Sequence, residues 1–170
     1  IGITDGKITF YATDVDNSTL TLKSNFAAAF GSPSIMSGAT QVLTPVAQST
    51  ALSGILQVTD GTSNVDVMGV AIGTNGSDTI TAPNVGGTNI LYGFDGADTL
   101  VGSTGNDTFV GGQGADTLTG AGGANTYVYN ISDSIGSIGS YGDSGTISGY
   151  DIIKDFNIGV DTLNLVGNVV

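Results

Sequence analysis

A nine-residue period in the middle of the chain constrains its fold more than any other feature. Four blocks carry glycine at places one and four, aspartate at place six and a large apolar residue at place eight: GTNGSDTIT (73–81), GFDGADTLV (93–101), GSTGNDTFV (102–110) and GGQGADTLT (111–119). NVGGTNILY (84–92) and GAGGANTYV (120–128) keep the register with asparagine at place six. Copies in such close register are hard to obtain by chance, and they predict coils that stack on one another.

Each block divides into a six-residue turn, G-x-x-G-x-D, and a three-residue strand, x-U-x, in which U is the apolar residue. Two blocks make one coil of a right-handed parallel β-roll. Glycine gives the turns backbone conformations that other residues avoid, and it lets adjacent turns approach closely. Period-two alternation directs the place-eight residues inward. The predicted core residues are Ile80, Leu91, Leu100, Phe109, Leu118 and Tyr127.

The charge of the chain indicates bound cations. All 15 acidic residues are aspartates, there are only three lysines, and the net charge is −12. Such self-repulsion opposes compaction unless cations bind among the carboxylates. Calcium takes six to eight oxygen ligands, which stacked turns supply as carbonyls and carboxylates. We expect several calcium ions, held by Gly73, Asn75, Gly76, Asp78, Gly87, Asn89, Gly93, Asp95, Gly96, Asp98, Gly102, Thr104, Gly105, Asp107, Gly111, Gln113, Gly114, Asp116 and Asn125.

The two edges of the predicted roll differ in charge. Because successive blocks fall on opposite sides, one edge carries Asp78, Asp98 and Asp116. The other edge carries Asn89, Asp107 and Asn125. An asparagine amide offers an oxygen but no charge, so we expect tighter calcium on the first edge and weaker or absent metal on the second. Asn89 and Asn125 fit a plain turn role equally well.

The repeat resembles the G-G-x-G-x-D-x-U-x nonapeptide of RTX (repeats-in-toxin) proteins, which bind calcium. The tail DIIKDFNIGVDTLNL (151–165) is similar to the D-x-I-x-D-F-x-x-G-x-D-x-I-x-L segment that follows the β-roll in RTX proteins secreted by the type I route. This resemblance covers residues 73 to 165. It implies a secreted protein at the cell surface, type I secretion machinery as a partner, and Asp151 and Asp155 as ligands of a capping calcium. Asp161 is a further candidate, and turn capping is an equally good interpretation of all three aspartates.

Three regions follow from these patterns. Residues 1–72 read as a small antiparallel β-rich module, 73–128 as the calcium β-roll and 129–170 as its C-terminal cap. The fold class is therefore all-β. ATDVDNSTLTL (12–22) resembles a calcium pattern of cadherin-like surface domains, with Asp14, Asp16 and Asn17 as candidates, although a solvated turn is the stronger interpretation. The chain begins at Ile1 without a basic leader, which suggests a fragment of a longer protein.

The composition excludes several functions. Without cysteine or histidine the chain lacks thiol nucleophiles, the common zinc ligands and the usual general base, so we expect no enzyme activity. It has no basic patch for nucleic acid and no stretch of about 20 apolar residues for membrane insertion.

The remaining interpretation is a non-catalytic module of an extracellular adhesin that contacts a host or surface ligand or neighbouring domains. A surface-lattice (S-layer) domain and an accessory secretion domain of a protease or lipase are the alternatives. In each case we expect the repeats to be largely unfolded without calcium, because like charges crowd a thin core. Metal binding then supplies folding energy.

Overall fold

The structure, a computed structural model, describes residues 2–4, 7–10, 20–23, 35–36, 41–43, 47–59, 64–130 and 150–166. The candidate residues Asp14, Asp16 and Asn17 lie outside this part of the chain. The described strands are β1 (Gly2–Thr4), β2 (Lys7–Phe10), β3 (Leu20–Lys23), β4 (Ile35–Met36), β5 (Gln41–Leu43), β6 (Leu52–Thr59), β7 (Asn64–Ile72), β8 (Thr79–Thr81), β9 (Asn89–Asp95), β10 (Thr99–Val101), β11 (Asp107–Gln113), β12 (Thr117–Thr119), β13 (Thr126–Asn130), β14 (Ile152–Ile153) and β15 (Thr162–Val166).

The repeats form two facing parallel sheets. One sheet has the order β14-β12-β10-β8, and the other begins β15-β13-β11-β9-β7 before it continues through β6, β3 and β4. Alternate blocks therefore contribute to opposite sheets, as expected of a roll whose coil contains two nonapeptides. The prediction of an all-β parallel roll is confirmed. Strands β1, β2 and β5 form a separate antiparallel sheet.

The register of the sheets follows the period of the sequence. Leu100 of β10 pairs with Ile80 on one side and with Leu118 on the other. Phe109 of β11 likewise stands between Leu91 and Tyr127. In each row the place-eight side chains stack on one another, and all six predicted core residues are buried. The core is thus two facing rows of apolar side chains, which confirms the inward direction of place eight.

The two sheets extend beyond the repeats at both ends. Strand β7 pairs in parallel with β9 and in antiparallel with β6, so it belongs both to the roll and to the β-rich region before it. Strands β14 and β15 add one more coil after the last repeat. The boundaries at residues 72/73 and 128/129 stay a prediction. Among the described residues no helix is long and apolar enough to cross a membrane.

Candidate metal centre in the turns of the roll

A column of carboxylates runs along the edge of the roll where strands β8, β10, β12 and β14 begin. Asp78, Asp98, Asp116 and Asp151 each precede one of these strands. The Oδ1 atoms of Asp98, Asp116 and Asp151 each accept the backbone N–H of the previous member, over 2.7, 2.9 and 2.8 Å. We call these four residues the acidic column. The three repeat aspartates predicted to share an edge do so, and Asp151 of the tail extends the same column.

The opposite edge repeats this arrangement with two asparagines. Asp107, Asn125 and Asp161 accept, through Oδ1, the backbone N–H of Asn89, Asp107 and Asn125 over 3.1, 3.0 and 2.8 Å. We call Asn89, Asp107, Asn125 and Asp161 the mixed column. Asp161 of the tail, which the sequence offers as a capping ligand or a turn cap, extends this column.

The Asp98 carboxylate has one oxygen that no protein group satisfies. Its Oδ1 accepts the N–H of Asp78, whereas its Oδ2 is buried and has no hydrogen-bond donor. A Cβ built on Gly93 would contact both this Oδ2 and the carbonyl oxygen of Gly111. Glycine at place one therefore keeps open a small space that carboxylate and carbonyl oxygens border. A buried carboxylate oxygen without a donor is costly unless a cation or water reaches it.

The electrostatics of Asp98 also favour a cation. Burial raises the pKa of this carboxyl to about 6, the backbone N–H of Asp78 opposes the increase, and the charges of Asp78 and Asp95 add to it. The ionised form is thus disfavoured in the metal-free roll. A divalent cation at the Oδ2 would favour the ionised form, because an opposite charge nearby lowers the pKa of a carboxyl group.

Asp78 and Asp107 have a more complete set of donors. The Oδ2 of Asp78 accepts the N–H and the hydroxyl of Thr74 over 2.7 and 2.9 Å. The Oδ2 of Asp107 accepts the N–H of Ser103 over 2.5 Å. Thr74 and Ser103 stand four residues before their aspartates, at place two. The acidic column is therefore not uniform, because its Asp78 turn resembles the Asp107 turn of the other edge.

The backbone conformation at place two also differs between the Asp98 turn and the turns of Asp78 and Asp107. In the Asp98 turn place two is Phe94, which has a φ of 76°, in the left-handed region. No side-chain or backbone donor of that turn reaches the Asp98 Oδ2. A large side chain in this conformation is unusual and stands at a turn that presents a carboxylate oxygen. Sequence reasoning missed both types of turn, since the pattern treats place two as any residue.

The remaining predicted ligands divide by place in the turn. Two place-four glycines lie directly on the backbone of the neighbouring coil, namely Gly96 on Gly76 and Gly114 on the Gly96 carbonyl. The place-three side chains are exposed, namely Asn75, Asp95, Thr104 and Gln113.

Asp155 has a different environment from the column residues. Its Oδ1 accepts the N–H of Gly120 and its Oδ2 the N–H of Ala121, over 2.7 and 2.8 Å. Ala121 has a φ of 68°, so two successive N–H groups point toward one anion. This carboxylate closes the last repeat turn through hydrogen bonds. A metal-binding role for Asp155 stays a prediction.

The Asp98 turn fits calcium by its donor chemistry. It combines a buried carboxylate oxygen with a glycine-lined space and main-chain carbonyls, and all of these are hard oxygen ligands. In the part of the chain that the structure describes, no three acidic, histidine or cysteine side chains converge on one point. A calcium ion at Asp98 would accordingly draw further ligands from backbone carbonyls and water.

Comparisons with known proteins agree with this geometry. Residues 92–127 match the family of the RTX calcium-binding nonapeptide repeat, in four copies. The matched segment runs from β9 into β13 and includes Asp98, Asp107 and Asp116. The comparison with curated proteins gave no match.

Proposed function

We propose, from the premise that residues 92–127 form part of an RTX calcium-binding β-roll, that this chain is a non-catalytic module of an extracellular adhesin. It folds on calcium after type I secretion. The observation that carries the calcium role is the buried Asp98 Oδ2, which lacks a donor and lies within a column of four carboxylates. This arrangement is unfavourable for the bare protein and favourable for a bound divalent cation.

Coupling between metal and folding follows from the shape of the roll. Stacked coils bring carboxylates of the acidic column within one strand spacing of each other, about 4.8 Å. At that distance like charges repel strongly when they are partly removed from water. The core that must offset this repulsion is only two rows of side chains thick, so burial of apolar side chains compensates for little of it. Binding free energy from calcium is then part of the folding free energy.

The difference in calcium between compartments supports the secretion part of the proposal. Extracellular calcium modules have dissociation constants of roughly 0.1 to 1 mM, well above the calcium concentration of the cytosol. A roll with such affinity stays extended inside the cell, as passage through a narrow channel requires, and folds outside it.

Continuity of the large sheet supports the adhesin part. Strands β6 and β7 join the β-rich region to the roll through one hydrogen-bonded sheet, so calcium would stiffen both together.

A calcium titration of the full chain tests the proposal. Circular dichroism is followed while buffered free calcium rises from about 0.1 μM to 10 mM, a range that spans the cytosolic and extracellular affinity classes. We expect a cooperative gain of β signal near the upper end. A transition below about 1 μM would contradict folding after export, because the chain would already fold in the cytosol.

Two variants show whether the acidic column causes the calcium-dependent transition. Asp98→Asn removes a charge from the column, and we expect it to move the transition to higher calcium. Ser53→Lys raises the net charge by the same one unit at an exposed side chain of strand β6, outside the turns, and should leave the transition nearly unchanged. Equal shifts would mean that net charge, not the Asp98 site, governs binding. Light scattering in calcium adds a further check, since ordered growth of particles would favour a surface lattice over an adhesin module.

A further inference from the structure

The side chain of Asn89 lies inside a cage of oxygen atoms on the mixed column. Its Nδ2 donates to the carbonyls of Asn84 and Gly87, each over 3.0 Å. The same nitrogen lies 3.2 Å from the Ser103 hydroxyl and 2.7 Å from the Asp107 Oδ1. Asn89 is fully buried. Carbonyl, hydroxyl and carboxylate oxygens from two stacked turns thus converge on one nitrogen.

We infer that the Asn89 amide takes the place of a calcium ion in this pair of turns. These oxygens are the ligand types that calcium prefers, but an amide NH₂ group already supplies the positive partner. The Asn89 Oδ1 accepts the N–H of Asn84 over 2.8 Å, which fixes the amide with its nitrogen toward the oxygens. The donor set of this gap therefore does not fit calcium, in contrast to the Asp98 turn.

Charge and space both oppose a metal at this point. A calcium ion needs oxygens at 2.3 to 2.6 Å, and here the Nδ2 hydrogens occupy the directions from which those oxygens would bind. Asn89 also contributes no negative charge. The neighbouring Asp107 has its Oδ2 accepting the Ser103 N–H, so this carboxylate is already satisfied by protein donors on both oxygens.

This inference deepens the proposed function and rests on it only for the acidic column. Two kinds of partner for the oxygen atoms then hold the coils together: calcium at Asp98, and the neutral amide donor of Asn89. In the folded roll the amide joins the 84–89 and 103–107 turns without a metal ion between them. The aspartate or asparagine at place six then determines which gaps between coils take metal.

Counting bound ions in a gain-of-site variant tests the inference. Asn89→Asp keeps the side-chain shape and exchanges the amide donor for a carboxylate. Native mass spectrometry of the full chain in calcium is expected to show one more ion than in the wild type. Ser53→Asp adds the same charge to an exposed side chain of strand β6, outside the turns of the roll, and is expected to leave the ion count unchanged. A folded Asn89→Asp variant with the wild-type ion count overturns the inference.

A measurement on the wild-type chain covers the case in which Asn89→Asp fails to fold. Anomalous scattering from crystals grown in calcium locates each ion directly. We expect density beside Asp98 and none between Asn89 and Asp107, and an ion between Asn89 and Asp107 overturns the inference. A wild type that binds no calcium at all overturns the proposed function instead, so the two failures are distinguishable.

Discussion

Phe109 offers a sharp test of how the core and calcium are linked. The side chain is completely buried, and its ring stacks on Tyr127 with centroids 5.0 Å apart and an interplanar angle of 11°. It also stands in register between Leu91 and Tyr127 in one of the two rows that form the core. With only one facing row, Phe109→Ala leaves a cavity that few neighbours can fill.

The size of the effect follows from that cavity. Replacing a buried phenylalanine by alanine costs about 3 to 5 kcal/mol. Calcium that binds only the folded chain must compensate for this loss. The acidic column has three gaps, between Asp78, Asp98, Asp116 and Asp151. If about three ions bind together with folding, a loss of about 4 kcal/mol is about 1.3 kcal/mol per ion, or roughly a tenfold higher calcium midpoint.

The assay is the calcium midpoint of folding, followed by circular dichroism for Phe109→Ala beside the wild type. Val85→Ala is the matched control, because it truncates an apolar side chain that is 83% exposed. We expect Val85→Ala to leave the midpoint unchanged. A Phe109→Ala midpoint within about twofold of the control would refute the linkage between core burial and metal binding.

Three further predictions concern the turns. Gly93→Ala places a Cβ against the Asp98 Oδ2, so calorimetry should show weaker calcium binding. In the control Gly76→Ala the nearest atom to the added Cβ is the Thr74 Oγ1, 3.7 Å away, so this variant should bind calcium as tightly as the wild type. The raised pKa of Asp98 means that its ionisation opposes the metal-free fold. The free energy of unfolding that this group contributes is present below its unfolded pKa and is lost as the pH rises through about 6. Circular dichroism in metal-free buffer should therefore show more β structure at pH 5 than at pH 8. No difference between the two pH values would contradict this. Asp155→Ala removes the acceptor of two backbone N–H groups and should cost about 1 to 3 kcal/mol in urea unfolding at saturating calcium. An unchanged ion count would assign Asp155 to turn capping, and a lower count would assign it to the metal.

The period of the sequence was sufficient to predict the roll and its core. Place-eight residues such as Leu100 and Phe109 are buried as expected, because a strict repeat forces equivalent residues into equivalent positions. The repeat part of the acidic column follows for the same reason, since alternate blocks must fall on the same edge. A regular spacing therefore predicts which residues stack, without information on contacts between residues that are distant in the sequence.

The closing coil could not be predicted from spacing in the same way. Asp151 and Asp161 join their columns from 35 and 36 residues away along the chain, after the nine-residue period has ended. Only the tertiary fold brings them to the edges. The resemblance to RTX tails suggested Asp151 and Asp155 as a pair of ligands. The structure places Asp151 in the acidic column and Asp155 on the N–H groups of the last repeat turn, and a metal role for either residue stays a prediction.

The role of Asn89 was also beyond the sequence pattern. At place six an asparagine is compatible with a weak ligand or with a plain turn residue, and the choice depends on which atoms surround its amide. Those atoms come from Asn84 and Gly87 in its own turn and from Ser103 and Asp107 in the next coil. No sequence pattern identifies a hydrogen-bond network between coils.

Hydrogen exchange of the full chain, measured by mass spectrometry with calcium and with excess chelator, tests the central claim most directly. Calcium-coupled folding predicts that backbone amides of 92–127 are protected in millimolar calcium, and that those of the Asp98 and Asp116 turns exchange rapidly in chelator. Equal protection of these turns in both conditions would show that the roll folds without its metal, and would contradict the account.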